Sequence, residues 1–349
     1  MANIVMTDDG ISFDGLSLER GPLGGAETAF LSLAEALAQR GHSVSVHNMC
    51  DRAMEHAGVA WRPLSEGTPD RADLYIANRS DRLIRLVPNA RSCVFWIHNP
   101  ARYLLKFRYL WKLWLRRPAI VFSGDYHAAT YPDWAPAGER RIIPYGISET
   151  FRTSTRAEGL PKAAIFTSNP LRGLGWLLDL WVERIYPACP EAELHVYSGM
   201  ATYGSFGAAR ADAMQPILKK AQALSGRGVA LKEPVAKEKL AAALGGARAL
   251  LYRGDPGETF CLAVGESQAM GVPAVVCDIG CVAERIENGE TGFVAHNDDA
   301  FVDYAIRLLN DDALWRSQSE AAIARQRSWG WDEAAAEFEK LLPAAGTAP

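Results

Sequence analysis

A chain of 349 residues with 48% hydrophobic and 22% charged side chains carries enough apolar material for two domain cores, since single cores stop growing at about 250–300 residues. The net charge of −4 and a pI near 6.0 exclude a general nucleic-acid binder. Six scattered cysteines, with no Cys-x-x-Cys pair and no histidine cluster beside Cys277 and Cys281, argue against a disulfide framework or a zinc site and for a reducing compartment.

The chain opens on a strand-like Asn3-Ile4-Val5-Met6, with no leader ahead of it and no apolar run of spanning length, so a cytoplasmic protein is expected. Runs at Ile4–Met6, Val44–His47, Leu74–Ala77, Cys93–Ile97, Ile120–Ser123 and Arg141–Pro144 alternate with helical patterns. That alternation predicts a parallel sheet with covering helices, a Rossmann-like domain. A helix is expected over Thr28–Arg40, stopped by Gly41. Gly24 and Gly25 just before it would let backbone N–H groups approach a ligand closely. The spacing is not a dinucleotide fingerprint, and a plain loop hinge fits the glycines as well.

His98 ends a predicted strand, where open α/β sheets bind ligands, although a histidine there can also simply cap the strand. From Arg102 to Arg117 there are six basic residues, no acid and five aromatics. On one continuous helix Arg102, Lys106, Arg108, Lys112, Arg116 and Arg117 fall within a half-circle. Tyr103, Leu104, Phe107, Leu110, Trp111, Trp114 and Leu115 fill the other, with Leu105, Tyr109 and Leu113 as exceptions. A basic face opposite a Trp/Leu/Phe face fits an interfacial helix on anionic lipid, with Arg102, Lys106, Trp111, Lys112, Trp114 and Arg116 at the membrane. The alternative is a helix that packs its apolar side on the domain and shows its basic side to water. Asp125 and His127, after the next strand, are secondary candidates for acceptor contact or members of an ordinary loop.

A polar linker, Thr150–Lys162, separates this half from a second α/β series. The second series starts with the strand Ala163–Thr167, the turn Ser168–Leu174 and a helix over Trp176–Tyr186. It continues with strands at Glu193–Gly199 and Gly228–Lys232, a helix over Ala236–Leu244 and a strand at Arg248–Tyr252. Glu258 then opens an apolar run, and Glu266 follows eight residues on, before Gly271 and the buried-strand pattern Pro273–Cys277. On one helix eight residues rise ~12 Å and return to within about 80° of the start. Two carboxylates so spaced suit a ligand with hydroxyls at both ends and a diphosphate between, beside an anion-favouring helix N-terminus. Read blandly, Glu258 is a first-turn helix acid and Glu266 an exposed polar residue.

The segment Glu258–Pro273, two glutamates eight apart ending in Gly-Val-Pro, resembles the donor-binding segment of glycosyltransferase family 4. Gly24-Gly25-Ala26-Glu27 with Gly41-His42 resembles the opening of the same family, Ile142–Ile147 the turn that closes its first domain, Asn288–Val294 its turn into a last strand, and Trp329-Gly330-Trp331 its closing segment. The resemblance implies the GT-B fold: two Rossmann-like α/β domains with parallel sheets facing a central cleft. It divides the chain into an acceptor-side domain over 1–150, a donor domain over 151–329, and a closing helix over 330–349 that rejoins the first domain. It implies a retaining, metal-independent enzyme that moves a hexose from a nucleotide-diphosphate sugar (uridine or guanosine) to a hydroxyl of a glycan or lipid-linked acceptor, as in cell-surface polysaccharide, lipopolysaccharide or glycolipid synthesis. No cofactor is implied beyond the donor itself. An anionic membrane surface is the further partner that the basic, aromatic stretch suggests.

By the same resemblance the donor lies against Gly24, Gly25, Asn169, Arg172, Val235, Glu258, Thr259, Phe260, Cys261, Leu262 and Glu266. Glu266 would hold ribose hydroxyls, Glu258 the sugar and Arg172 the diphosphate, while His98 orients substrate; Arg172, Glu258 and His98 form the catalytic group. The acceptor side would include His98, Asp125 and His127. The family's other diphosphate arginine falls on Thr167 here, so one expected cation is missing from its place. Two other readings keep the fold: a nucleotide-sugar epimerase and an inactive nucleotide-sugar-binding scaffold.

Overall fold

Apolar strand runs and helices alternate through most of the chain and build two sheets. The computed structural model describes residues 1–156, 159–199 and 210–343. They divide into two units, one made of residues 1–20, 25–146 and the chain from Trp331, the other of residues 147–330 with 21–24. The last six residues of the expected closing helix, two residues of the expected linker and residues 200–209 lie outside the described residues.

The first unit holds β1 (Asn3–Thr7), α1 (Gly25–Gln39), β2 (Ser43–Asn48), β3 (Met54–His56), β4 (Val59–Pro63), β5 (Arg71–Asn78), β6 (Asn89–Trp96), α2 (Phe107–Arg116), β7 (Ala119–Phe122) and β8 (Glu139–Ile142). The strand order is β3-β4-β2-β1-β5-β6-β7-β8. All pairings are parallel except β3 with β4. The apolar faces of β1, β5 and β6 are closed off completely, with Ile4, Val5, Tyr75, Ile76, Phe95 and Trp96 at 0% exposure. Such strands are covered on both sides by crossover helices. The edge strand expected at Arg141–Pro144 lies two residues earlier, where Arg141 pairs with Val121.

The stretch expected as one helix over Arg102–Arg117 is two pieces. A 3₁₀ turn, Ala101–Leu105, precedes Lys106, whose extended backbone (ψ 139°) breaks the spiral before α2 begins. The break resets the phase of the wheel. Tyr109 and Leu113, exceptions on the continuous wheel, become the core contacts together with Leu104. Phe107, Trp111, Trp114 and Leu115 lie exposed, which overturns the alternative of a helix that packs this apolar side on the domain. Two of the basic residues turn inward. Lys112 Nζ lies 2.6 Å from Asp81 Oδ2, and Arg116 donates to the carbonyls of Val87 and Ala90 at 3.3 Å.

The second unit holds β9 (Ala163–Phe166), α3 (Leu174–Leu180), β10 (Glu193–Tyr197), β11 (Val229–Lys232), β12 (Ala249–Tyr252), α4 (Leu262–Ala269), β13 (Ala274–Cys277) and β14 (Gly292–Ala295). Its six-stranded sheet is wholly parallel, in the order β11-β10-β9-β12-β13-β14. Every residue of β9, β12, β13 and β14 is buried. The expected structureless linker includes a short helix, Glu149–Thr153, because Phe151 is fully buried. After residue 330 the chain rejoins the first unit as α5 (Trp331–Glu339). There Phe338 meets Trp96 edge-on at 5.1 Å, and Arg40 binds Asp332 and Glu339 at 2.7 Å each.

Candidate active site

In an open α/β sheet, ligands bind beyond the strands' carboxyl ends where the strand order reverses. In the second sheet that point lies between β9 and β12, and the residues leaving those two strands form a polar cluster. Past β9, Asn169 makes an Asx turn: its Oδ1 accepts the Leu171 N–H at 2.9 Å, and its carbonyl accepts the Arg172 N–H at 2.9 Å. Gly173 follows at φ +83°, and a Cβ there would stand 2.7 Å from the Arg253 side chain, so this crossing takes glycine. Arg172 is thereby held with Nη1 2.6 Å from Glu258 Oε1.

Glu258 Oε2 accepts the Tyr252 hydroxyl at 2.5 Å. Glu258 is buried. Burial pushes its pKa up, while Arg172 and the Tyr252 hydroxyl pull it down; the net direction is upward. Burial, and then the neighbouring Cys261 and Glu258, holds Tyr252 protonated far above its ordinary range, so it stays a donor. The loop beneath is tightly made. The N–H of Glu258 bonds the Asp255 carbonyl at 3.0 Å, and the N–H of Gly257 bonds Asp255 Oδ1 at 2.7 Å. Gly280 (φ +68°) passes so close that a Cβ would sit 2.3 Å from the Asp255 carbonyl oxygen.

Glu258 is not the first residue of a helix. The chain runs as a loop until Cys261, which takes a left-handed conformation (φ 64°, ψ 77°), and α4 starts at Leu262. The helical geometry that would set the two glutamates a fixed rise and angle apart therefore does not operate, because the Asp255-anchored turn and the Cys261 kink lie between them. Glu266, inside α4, has its own cation: Lys237 Nζ at 2.7 Å, with both side chains mostly buried. The remaining donor-side candidates stand nearby in sequence. Thr259, Phe260 and Cys261 are buried, while Leu262 and Val235 are half-buried. The N–H groups of the first turn of α4 carry the positive end of its dipole. In the sequence, Tyr252 and Lys237 gave no signal as site residues, since each is defined by its carboxylate partner.

In the first sheet the order reverses between β1 and β5, and a second polar cluster occupies that point. Asp8 follows β1 and is fully buried. Asn78 donates to it at 2.5 Å, and Arg79 lies 3.2 Å from Asp8 Oδ2 and 2.7 Å from Glu27 Oε1, in the first turn of α1. Burial is the largest influence on Asp8 and raises its pKa against the pull of Arg79. Arg79 also sits at φ +47°, a strained position for a residue with a Cβ. Of these, only Glu27 was marked by a motif, as the last residue of Gly24-Gly25-Ala26-Glu27; Asp8, Asn78 and Arg79 were not, because the strand order that assembles them is not written in any one stretch.

His98 belongs to this network. Its Nε2 lies 2.6 Å from Asn78 Oδ1 and its Nδ1 2.5 Å from the Tyr145 hydroxyl. Since the Asn78 amide already donates to Asp8, Nε2 carries the proton and Nδ1 accepts from tyrosine. Burial, then the charges of Arg79 and His127, hold His98 neutral, well below its usual range. His127 is likewise turned inward: Nε2 donates to the Asn99 carbonyl at 2.9 Å, and Nδ1 accepts from Ser123 at 3.0 and 3.1 Å. Its pKa falls to about 4 through burial. Asp125 is exposed at the start of the short helix Asp125–Ala129. Gly25 is the first residue of α1, and Gly24 precedes it, half-buried.

Residues 163–311 match the family described as glycosyl transferases group 1. That matched stretch lies within the second unit. Over 86 residues the chain is 33% identical to a D-inositol 3-phosphate glycosyltransferase of Corynebacterium aurimucosum, a match covering 24% of this chain and 20% of that one. The aligned stretch is thus a fifth of that relative's length. The fold as a whole superposes on sucrose-phosphate synthase of Thermosynechococcus elongatus, with a TM-score of 0.75 at 17% identity over 97% of both chains. It superposes equally on Anabaena HepE, solved in complex with UDP and glucose, with a TM-score of 0.75 at 13% identity over 99% of this chain and 100% of that one. These likenesses identify the architecture as GT-B.

Proposed function

We propose that the chain transfers a hexose from a uridine or guanosine diphosphate sugar to a hydroxyl of a glycan or lipid-linked acceptor, with retention at the anomeric carbon. The observation that carries this reading is the buried Glu258, held between Arg172 and Tyr252 at the switch point of the second sheet. A carboxylate with both oxygens engaged, its cation 39% exposed beside it, suits a sugar hydroxyl and a diphosphate bound together.

In the proposed reaction the acceptor oxygen bonds to the anomeric carbon on the face that the diphosphate leaves. The bond from that carbon to the phosphate oxygen breaks, and its electron pair goes to the diphosphate. The acceptor's proton passes to a phosphate oxygen, so the step needs no protein nucleophile. Arg172, which Glu258 fixes in orientation, stabilises the charge developing on the leaving group, and no resident metal ion is invoked. Glu266, with Lys237, takes the nucleoside end, and Val235 lies beside the base. His98 keeps the first unit's polar cluster in one arrangement and does not exchange a proton with substrate.

The acceptor is reached at the cytoplasmic face of an anionic membrane, a reading supported by the exposed basic and aromatic residues of 102–117. Release of free nucleotide from purified protein, screened over uridine and guanosine diphosphate sugars with and without a polyol or lipid acceptor, tests the assignment. Acceptor-dependent release with an axial product linkage supports it. Interconversion of the donor sugar without acceptor, or no turnover with any donor that binds, overturns it.

A further inference from the structure

Large apolar side chains that stand exposed on the described residues are few, and they are not scattered evenly. Phe107, Trp111, Trp114 and Leu115 all lie on α2, with Phe107 80% and Trp114 67% exposed, and Trp134 is 71% exposed on the loop before β8. A ten-residue helix that shows two tryptophans and a phenylalanine to water while turning a lysine and an arginine inward reverses the usual economy of a surface helix. The reversal is locked. Tyr109 and Leu113 are buried in the domain core, Lys112 is bound to Asp81, and Arg116 is spent on two backbone carbonyls. The aromatic side of α2 has no means of rolling inward.

The Trp134 loop is held as firmly. The Arg140 guanidinium donates to the carbonyls of Tyr131, Pro132, Asp133 and Ala135 at 2.6–3.1 Å and lies 4.8 Å over the Tyr131 ring. Tyr131 and Ala135 enter the same core cluster as Leu104, Tyr109 and Leu113. The N–H of Gly138 bonds the Pro118 carbonyl at 2.9 Å, and a Cβ at Gly138 would stand 2.0 Å from the Arg117 carbonyl oxygen. The loop is therefore riveted to the chain that leaves α2. Four residues span at most about 14 Å, so Trp134 stands within that distance of Gly138, which abuts Arg117 just past the helix end.

We infer that α2 and Trp134 form one rigid two-point anchor that seats the first unit on an anionic bilayer, with Trp134 as the second point that fixes its tilt. The occupant follows from charge. Arg102, Lys106, Arg108 and Arg117 are exposed around the aromatic side chains, residues 102–117 contain no acid, and the whole chain carries −4, so the positive charge is local to this surface. The acid beside Trp134, Asp133, is paired with Arg140. Tryptophan at the headgroup level with arginine and lysine around it is the chemistry of an interfacial anchor. A single helix lying on a bilayer is free to rock about its axis, whereas a second tryptophan off that axis is not.

The inference rests on the membrane reading above, and the test separates the two. Full-length protein is sedimented with vesicles of phosphatidylcholine alone or with 30% phosphatidylglycerol, at low and high salt, alongside Trp134→Ser and Trp114→Ser. The expected result is salt-sensitive binding to the anionic vesicles only, with an apparent partition coefficient about tenfold lower for each variant, and an unchanged melting temperature because both side chains are exposed. Trp134→Phe is expected to recover most of the loss. Binding of the parent protein that Trp134→Ser leaves intact overturns the two-point anchor and keeps the membrane reading. Absence of binding to either vesicle overturns both. Self-association in sedimentation velocity that Trp114→Ser abolishes, in place of vesicle binding, assigns the surface to a second copy and also overturns the proposal.

Discussion

Arg172→Ala, combined with Glu258→Gln in a double-mutant cycle, examines the centre of the proposed site. A hydrogen bond between charged groups contributes about 1.5–3 kcal/mol, and the 2.6 Å contact is of that kind. Arginine is 39% exposed while the carboxylate is 4% exposed, so solvent screening on one side puts the expected value near the lower end, about 1.5 kcal/mol. Arg172→Ala alone leaves a buried carboxylate with a tyrosine but no cation. It is expected to lower the calorimetric transition of the second unit by about 3–6 °C, since 1 kcal/mol moves a domain of this size by about 2–4 °C. Glu258→Gln keeps the Tyr252 contact and removes the charge that required Arg172. The double variant is therefore expected to lose about 1.5 kcal/mol less than the sum of the two singles. In nucleotide-release assays, Arg172→Ala is expected to reduce turnover at least tenfold, about 1.4 kcal/mol of lost transition-state stabilisation. Additivity within about 0.5 kcal/mol would refute the coupling, and unchanged turnover would show that another group neutralises the leaving diphosphate.

Three further perturbations follow from geometry already described. Lys237→Ala strips the cation from the mostly buried Glu266 and is expected to weaken nucleotide binding by at least fivefold in calorimetric titration, with fold and far-UV spectrum retained. Gly280→Ala forces a methyl group against the Asp255 carbonyl at a positive φ, and is expected to cost about 2 kcal/mol or more in urea unfolding and to weaken donor binding through the Glu258 loop. His127 gives a pH signature. Its folded pKa, about 4, lies below the unfolded value of 6.5, so the unfolded chain binds the extra proton and stability falls as pH drops through that window. Between pH 7.5 and 5.0 the term amounts to about 2 kcal/mol, and His127→Gln should flatten the stability–pH curve of the first unit by that amount even if it lowers the whole curve.

Much of the architecture was legible because parallel strands covered on both faces are continuous apolar runs. Ala163–Phe166, Ala249–Tyr252 and Ala274–Cys277 announce themselves, and so does the helix between the last two. The boundaries that failed did so for local reasons. Lys106 is an ordinary helix former, and nothing in its type reveals the extended backbone that divides 102–117 and rotates the aromatic side outward. Cys261 is not a residue from which a left-handed turn is read, yet that turn removes Glu258 from the helix. Of the candidate site, Arg172, Glu258 and Glu266 were accessible through spacing and resemblance. Their partners were not: Tyr252 reads as the end of a buried strand, Lys237 as a helix surface residue, and Asp8 and Asn78 become neighbours only once β1 and β5 are paired.

The return of α5 to the first unit has a consequence for biosynthesis. Residues 147–330 are continuous, so that unit can close while the ribosome is still working, whereas the unit begun earlier must wait for Trp331 and Phe338 before Trp96 and the flank of α1 are covered. The portion made first is thus finished last. A nascent chain halted at residue 330 would carry a complete second unit and a first unit with Trp96 still uncovered, and chaperone demand should peak in that interval.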